Sequence, residues 1–224
     1  MPGSCIILAH FCRARDESGN YFSDADIVEN FVLLLFAAQD TTTASLVNAC
    51  YELGRHPEWQ QRLREEAHAL GKKSIGQEDL EALPGFGLVF NETQRLHSSV
   101  PLFPRRSINP CELSGVEIPA DTLLMNAITY NHVMPGWWTE PHKFDPERFE
   151  RGEDKQHPFL FHPFGGGAHK CIGMHFAKIV FCSFLYHLIT GHEIRLRPDY
   201  DPAWQYLPMP KPKDNLPICL VPVV

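Results

Sequence analysis

The chain lacks an excess of positive charge: 20 Lys+Arg stand against 27 Asp+Glu, a formal net charge of −7. That argues against a nucleic-acid partner, since such binding rests on a basic stripe. It also lacks paired cysteine spacing. Seven cysteines are an odd number, with no repeated C-x-x-C, which argues against a disulfide framework or a zinc ribbon. They suit a reduced compartment, with most serving as small core hydrophobes. No apolar run approaches the ~18 residues of a membrane span; the longest mostly apolar run covers residues 31–38. Residues 1–10 have no basic start and no small-residue cleavage site, so they do not read as a signal peptide, and nothing in the sequence fixes a location in the cell. No G-x-G-x-x-G follows a strand, which removes a flavin or nicotinamide site. No repeat or low-complexity tract is present.

What is plentiful is proline, 19 residues against 15 glycines in a chain of 224. This implies many stiff turns and excludes a plain bundle or sandwich. Hydrophobic residues at 44% and charged residues at 21% describe an ordinary globular chain of one domain or two, long enough for a large core.

The pattern predicts a mainly α fold with small β-sheets (α+β). Ser23 and Asp26 resemble a capping box, and the proline-free stretch that follows predicts a helix to Leu53, stopped by Gly54. Residues 31–38 are apolar nearly all round, so this helix should cross the interior. Pro57 suits the first turn of an amphipathic helix over 58–70, closed by Gly71. Residues 77–83 and 88–96 are shorter helix candidates. Residues 111–118, with Ser114-Gly115 at the centre, read as a hairpin, and residues 122–128 as a strand. An irregular proline- and aromatic-rich stretch covers 132–163. A last helix is expected over 172–189. The tail from Pro198 should be extended, with room for a hairpin.

Four groups of residues carry chemistry. The first is Phe164-Gly-Gly-Gly-Ala-His-Lys-Cys171-Ile-Gly173, where glycines deliver one cysteine to a helix start. A thiolate there is favoured by the macrodipole and free N–H groups, and glycines let the backbone approach something flat. A soft metal ligand fits; so does a glycine turn with an unreactive cysteine. The loop is not a phosphate-binding P-loop, because Cys follows the Lys. His162, His169, Cys171 and His175 form no closed four-ligand zinc set by spacing. The second group is Asp40-Thr41-Thr42, costly inside a buried helix. A hydroxyl beside a carboxylate can relay protons; a solvated kink, or hydroxyls bonded back to i−4 carbonyls, explains it as well. The third is Glu92 and Arg95, which share a helix face at i,i+3. The fourth is Phe144-Asp-Pro-Glu-Arg-Phe149, whose Arg148 could join that pair.

Taken in their order along the chain, the four groups resemble the C-terminal half of a cytochrome P450, a haem-thiolate monooxygenase. Phe164, Gly167, His169, Cys171 and Gly173 match F-x-x-G-x-[RH]-x-C-x-G, Glu92 and Arg95 match E-x-x-R, and residues 132–149 match H-x-x-P-x-x-W-x-x-P-x-x-F-x-P-E-R-F. The resemblance runs from about Phe22 onward, and residues 1–224 read as the C-terminal part of a single P450 domain, with 1–21 as an unassigned lead-in. It implies haem b, with Cys171 as the axial thiolate on iron. Phe164, Gly167, His169, Gly173 and Arg105 would hold the cofactor, His169 and Arg105 at its propionates. Asp40 and Thr41 would deliver protons to dioxygen, while Glu92, Arg95 and Arg148 form a buried scaffold.

Three positions depart from the family pattern. Ala38 stands for a usual Gly, Ser98-Ser99 for a usual Pro-Pro, and His169 for the commoner Arg. The implied activity inserts one oxygen atom of O2 into a small lipophilic substrate facing Phe36, Ala37, Val100, Leu102, Phe103 and Leu207, with electrons from a separate reductase or ferredoxin-like protein. Lys170 and Lys178 offer that protein a small basic patch. The family's N-terminal half does not match within the sequence, so the chain is expected to be a poor enzyme by itself. Alternative readings are an inactive haem-binding remnant, or a structural or zinc-binding domain built on the Cys/His loop.

Overall fold

The computed structural model describes residues 6–223; Cys5, Val224 and the first residues of the N-terminal apolar run lie outside them. The chain forms two compact units, 1–40 and 41–224.

In the first unit, helix α1 (Ile6–Arg13) leads into a turn held by Asp16, which accepts the N–H groups of Ser18 and Asn20 at 2.9 and 2.8 Å. Helix α2 (Asp24–Arg55) begins there. Its capping box is formed as expected: Asp26 N–H donates to Ser23 Oγ at 3.2 Å, and Ser23 N–H donates back to Asp26 Oδ2 at 3.2 Å. Ile27 is buried, but Val28, Val32, Leu33, Leu35 and Phe36 are all exposed, Phe36 by 74%. The expectation that residues 31–38 cross an interior is therefore not met among the described residues.

In the second unit, α2 continues to Arg55 with Ala49, Leu53 and Cys50 in the core. It runs one residue past Gly54, where a stop was expected. The glycine is there for close packing: a Cβ on Gly54 would lie 2.8 Å from Leu196 Cγ. Helix α3 (Pro57–Leu70) has Pro57 in its first turn and ends on Gly71 in the left-handed region, at φ 66°, as its sequence indicates. A 3-10 turn (Gln77–Ala82) precedes α4 (Pro84–Leu96). Pro84, expected only to end the preceding turn, opens α4 and extends it four residues ahead of prediction. Helices α3, α4 and α6 (Met174–Gly191) pack together, with Leu63, Phe86, Val89, Phe181, Leu185 and Ile189 fully enclosed. At about 1.5–3 kcal/mol per buried large apolar side chain, this cluster is the main stabilising mass of the unit. The expectation that no stretch approaches a membrane span is corrected at α6, which is long and apolar enough, by length and composition, to cross a membrane. Here five of its residues belong to the core.

Among the described residues, four two-stranded antiparallel sheets complete the unit. Strand β1 (Leu102–Arg106) pairs with β4 (Leu123–Ala127), and β2 (Cys111–Leu113) with β3 (Val116–Ile118) through a turn with Ser114 and Gly115 at positive φ. Strand β5 (His192–Arg195) pairs with β8 (Cys219–Pro222), and β6 (Trp204–Gln205) with β7 (Lys211–Pro212). Helix α5 (Ile128–His132) and 3-10 turns punctuate the proline-rich stretch.

Gln60 ties the helical layer to β5. Its Nε2 donates to Leu53 O at 2.8 Å and Ile194 O at 2.9 Å, and its Oε1 accepts Ile194 N–H at 2.8 Å. The side chain is enclosed, so Gln60→Leu strands three backbone groups away from water. The substitution should cost about 2–4 kcal/mol in urea unfolding; a loss under about 1 kcal/mol would show that these groups find other partners.

Candidate functional site

The cysteine loop is a closed hairpin of backbone. Phe164 anchors its near end, stacked on Phe90 of α4 at 6.0 Å. Gly165 N–H donates to His162 O at 3.0 Å, and Cys171 N–H closes the neck on Phe164 O at 2.9 Å. Between them Gly165 and Gly167 sit at φ +71° and +66°, in the left-handed region that favours glycine. The thiol of Cys171 is free and exposed, and a Cβ on Gly173 would lie 3.7 Å from its Sγ. Cys171 itself lies outside the helix expected to begin at 172: α6 starts at Met174, after the N-cap Gly173. The cysteine therefore sits two residues ahead of the helix N-cap, in the loop, rather than at the helix start that its sequence indicates. Strand β1 lies against the loop, since the Phe103 ring is 3.7 Å from where Gly165 would carry a Cβ. Arg105, two residues on, occupies the same face of the strand by alternation and is exposed, as is His169.

Behind the loop lies a buried charge network. Arg95 and Arg148 are both 0% exposed, as is Glu92 between them. Arg95 grips Glu92 with Nε and Nη2 at 2.7 and 2.8 Å. Its remaining N–H groups reach the carbonyls of His132, Pro141 and Lys143 at 2.7, 2.6 and 3.1 Å. Arg148 Nε donates to Glu92 Oε1 at 3.1 Å, and its Nη groups reach Thr139 O, Glu140 O, Lys143 O and Glu153 Oε2. All five donors of each guanidinium are used. Glu92 also accepts Asp145 N–H at 2.8 Å. Arg148 joins the pair as the sequence suggests. Glu153 was not foreseen; it lies beyond the matched motif, in a turn whose position only the fold sets.

Thr41 opens the second unit, half-buried. Its carbonyl accepts Ser99 Oγ at 2.8 Å and Ser45 Oγ at 3.0 Å, and Gln94 Nε2 donates to Ser45 Oγ at 2.7 Å. Ser99 thus fastens the Thr41 backbone to the segment after α4. Asp40, the last residue of the first unit, is exposed.

The family model for cytochrome P450 matches residues 5–216. This chain belongs to the cytochrome P450 family. It is 44% identical to cytochrome P450 136 of Mycobacterium tuberculosis over 96% of this chain and 44% of that protein. It is 32% identical to abscisic acid 8'-hydroxylase 2 of Arabidopsis thaliana over 94% of this chain and 44% of that protein. Among solved structures it is similar to a retinoic-acid-bound cyanobacterial P450, CYP120A1, with TM-score 0.91, 32% identity, and coverage of 96% of this chain and 50% of that one. The chain therefore spans about half the length of the relatives it matches. The fold is a partial P450 fold, mainly helical with small antiparallel sheets, as the resemblance implied. The family's members are haem-thiolate monooxygenases, which use O2, lipophilic substrates and redox partners.

The P450 residues present fit haem. The loop offers one soft donor, Cys171, and at Gly167 a bare stretch of backbone with no atom within 4 Å of where a Cβ would stand, with Arg105 and His169 exposed on the same unit. Among the described residues no group of three or more His, Cys, Asp or Glu side chains is gathered for a metal. A single thiolate suits a metal whose other ligands come from a macrocycle, and does not suit zinc, which needs four donors. Of the positions expected to face substrate, Leu102 and Leu207 are exposed and Val100 and Phe103 half-buried in the second unit; Phe36 and Ala37 are exposed in the first.

The buried network makes two predictions. Glu92→Gln removes the carboxylate shared by two enclosed guanidinium groups, leaving Arg95 with neutral acceptors alone and Arg148 with Glu153, and should cost about 3–5 kcal/mol in unfolding experiments; a cost under about 1 kcal/mol would show the network to be dispensable. The rim of the network sets a pH dependence. Burial raises the Asp145 and Glu153 carboxyls, but Arg151 at Asp145, and Thr139 N–H, Arg151 and Arg148 at Glu153, outweigh it and hold both below their ordinary range. Their contribution is complete above the ordinary carboxylate range and is lost as pH falls through the lowered values. Acid titration of stability should show this loss, and Arg151→Met should shrink it.

Proposed function

We propose that this chain is the haem-binding part of a monooxygenase that inserts one oxygen atom of O2 into a small lipophilic substrate. The carrying observation is the exposed Cys171 thiol on a glycine loop closed at its neck and backed by the charge network. Residues 1–224 are read as part of a single P450 domain, supported by a family match that runs across both units.

Cys171 would ligate haem iron. Phe164, Gly167 and Gly173 would shape the loop against the ring, and Arg105 and His169 would face its propionates. When bound, haem supplies the oxidative chemistry, and a thiolate ligand favours O–O cleavage. The protein's own work is to hold and protonate. The loop would hold the Cys171 backbone, and the Glu92–Arg95–Arg148 network would stiffen the segment leading to it. Thr41, its backbone held by Ser99 and Ser45, would pass a proton into the site from Asp40, its neighbour in sequence. Beside the loop a cleft of about 480 Å³ is lined by Phe159, His162, Lys170, Met174, His175 and Lys178. Its two lysines, on a chain of net negative charge, would steer an acidic reductase or ferredoxin-like protein. A lipophilic substrate is supported by the apolar side chains of Val100, Leu102 and Phe103, by a solved relative with retinoic acid bound, and by a relative named for abscisic acid.

Cys171→Ala should abolish the red-shifted ferrous carbonyl band of a thiolate haem. Cys182→Ala should keep it, because Cys182 is enclosed in the core of α6. A normal band in the Cys171 variant would sink the ligand assignment. Thr41→Ala, in a competent enzyme, should release more peroxide per electron consumed; unchanged coupling would take the hydroxyl off the proton path.

A further inference from the structure

We propose that His132 is a positioning residue that joins the buried arginine network to the cysteine loop through its imidazole. The inference goes beyond the reading above for the loop's geometry, and rests on it only for the use to which Cys171 is put.

His132 ends α5 and is 0% exposed. Its two polar ends face different structures. Its carbonyl accepts Arg95 Nη1 at 2.7 Å, so its backbone belongs to the charge network. Its ring Nε2 accepts the backbone N–H of His162 at 3.1 Å. His162 in turn offers its carbonyl to Gly165 N–H at 3.0 Å, the first bend of the loop whose neck Cys171 closes on Phe164. A continuous path of hydrogen bonds and backbone thus runs from Glu92 through Arg95, His132 and His162 to the glycines around Cys171.

The chemistry of the ring sharpens the point. An Nε2 that accepts must be unprotonated, so the neutral ring carries its hydrogen on Nδ1. That Nδ1 has no hydrogen-bond partner among the described residues. The His162 N–H is therefore the polar contact that orients the ring, and Phe161 and His162, with ring centroids 5.3 and 5.7 Å away, pack around it. Burial, with the nearby charges of His162 and Arg95, pushes the His132 pKa down to about 3, which keeps the acceptor available at neutral pH. An apolar ring would fill the same space without an unpaired N–H. The imidazole contributes what that ring cannot, an acceptor aimed at the loop.

The full chain supplies the first test. Imidazole 15N NMR should find His132 in the Nδ1–H form; the Nε2–H form would overturn the proposal. The second test compares His132→Phe, which removes the acceptor, with His132→Gln, whose amide oxygen reaches the place of Nε2. In the Phe variant the His162 amide should exchange about tenfold faster, and the Cys171 alkylation rate, taken relative to the exposed Cys111, should change about threefold. The Gln variant should stay near the parent in both. Unchanged exchange and alkylation in the Phe variant would overturn the proposal. If the Phe variant does not fold, His132→Asn, too short to reach the His162 N–H, takes its place, and an Asn variant equal to the Gln variant overturns it. In haem-loaded protein the Phe or Asn variant should also lose part of its thiolate-type ferrous carbonyl band. Absence of that band from the parent would count against the haem reading, while the tautomer and the exchange rates still decide the role of His132.

Discussion

The structure around the cysteine depends on the full satisfaction of two buried guanidinium groups. Taking ions out of water costs several kcal/mol each, and a pair offsets this only with good geometry and every remaining donor bonded. Arg95 and Arg148 meet that condition, and their acceptors reveal the purpose. Six of their ten donor contacts go to backbone carbonyls between His132 and Lys143. This stretch is rich in proline and poor in regular structure, so it cannot pair its own carbonyls in a ladder. The arginines do what a sheet or helix would otherwise do. Trp138 lies beside both, with the guanidinium carbons 5.1 and 5.9 Å from its ring, adding cation–π attraction to the polar contacts.

Because that scaffold is held by charge-assisted bonds from α4, the loop it leads into inherits a defined position. The core supplies the rest: Phe164 stacks on Phe90, which also meets Phe181 of α6 edge-on at 4.9 Å. The two ends of the loop are thus fixed to two helices that pack against each other. The residues between, glycines at positive φ and an exposed thiol, carry little stabilising contact of their own. A rigid frame around a bare loop is what a large flat ligand requires, since bulk within the loop would compete for the ligand's space.

Local signals were legible wherever the physics is local. The Ser23–Asp26 box, Pro57, the left-handed Gly71 and the Ser114-Gly115 hairpin all act within a few residues, and each appears where expected. The joining of Glu92, Arg95 and Arg148 was legible as well, because spacing within a motif survives without knowledge of the fold. What the sequence hid was set by distant partners. Gly54 looks like a helix stop until Leu196 arrives against it. Strand β1 has no alternation to announce it, and forms because Leu123–Ala127 comes alongside. Glu153 and the carbonyl acceptors of the two arginines have no sequence signature, since any residue carries a carbonyl.

The departure at Ser98-Ser99 shows how such a distant partner can absorb a change of chemistry. Two prolines would need no hydrogen bonds from their side chains; two enclosed hydroxyls do, and an unpaired one costs about 1–3 kcal/mol. Ser99 meets the need on the Thr41 carbonyl at 2.8 Å and sits 3.0 Å from Ser45 Oγ. Ser45 in turn accepts from Gln94 at 2.7 Å. Gln94 lies between Glu92 and Arg95 in sequence, so α4 faces the charge network on one side and the Thr41 backbone on another. One helix therefore carries both the support for the cysteine loop and a tether to the threonine proposed to pass protons. A displacement of α4 would move both together, which ties the backbone of the cysteine loop to the backbone of Thr41 through a single element.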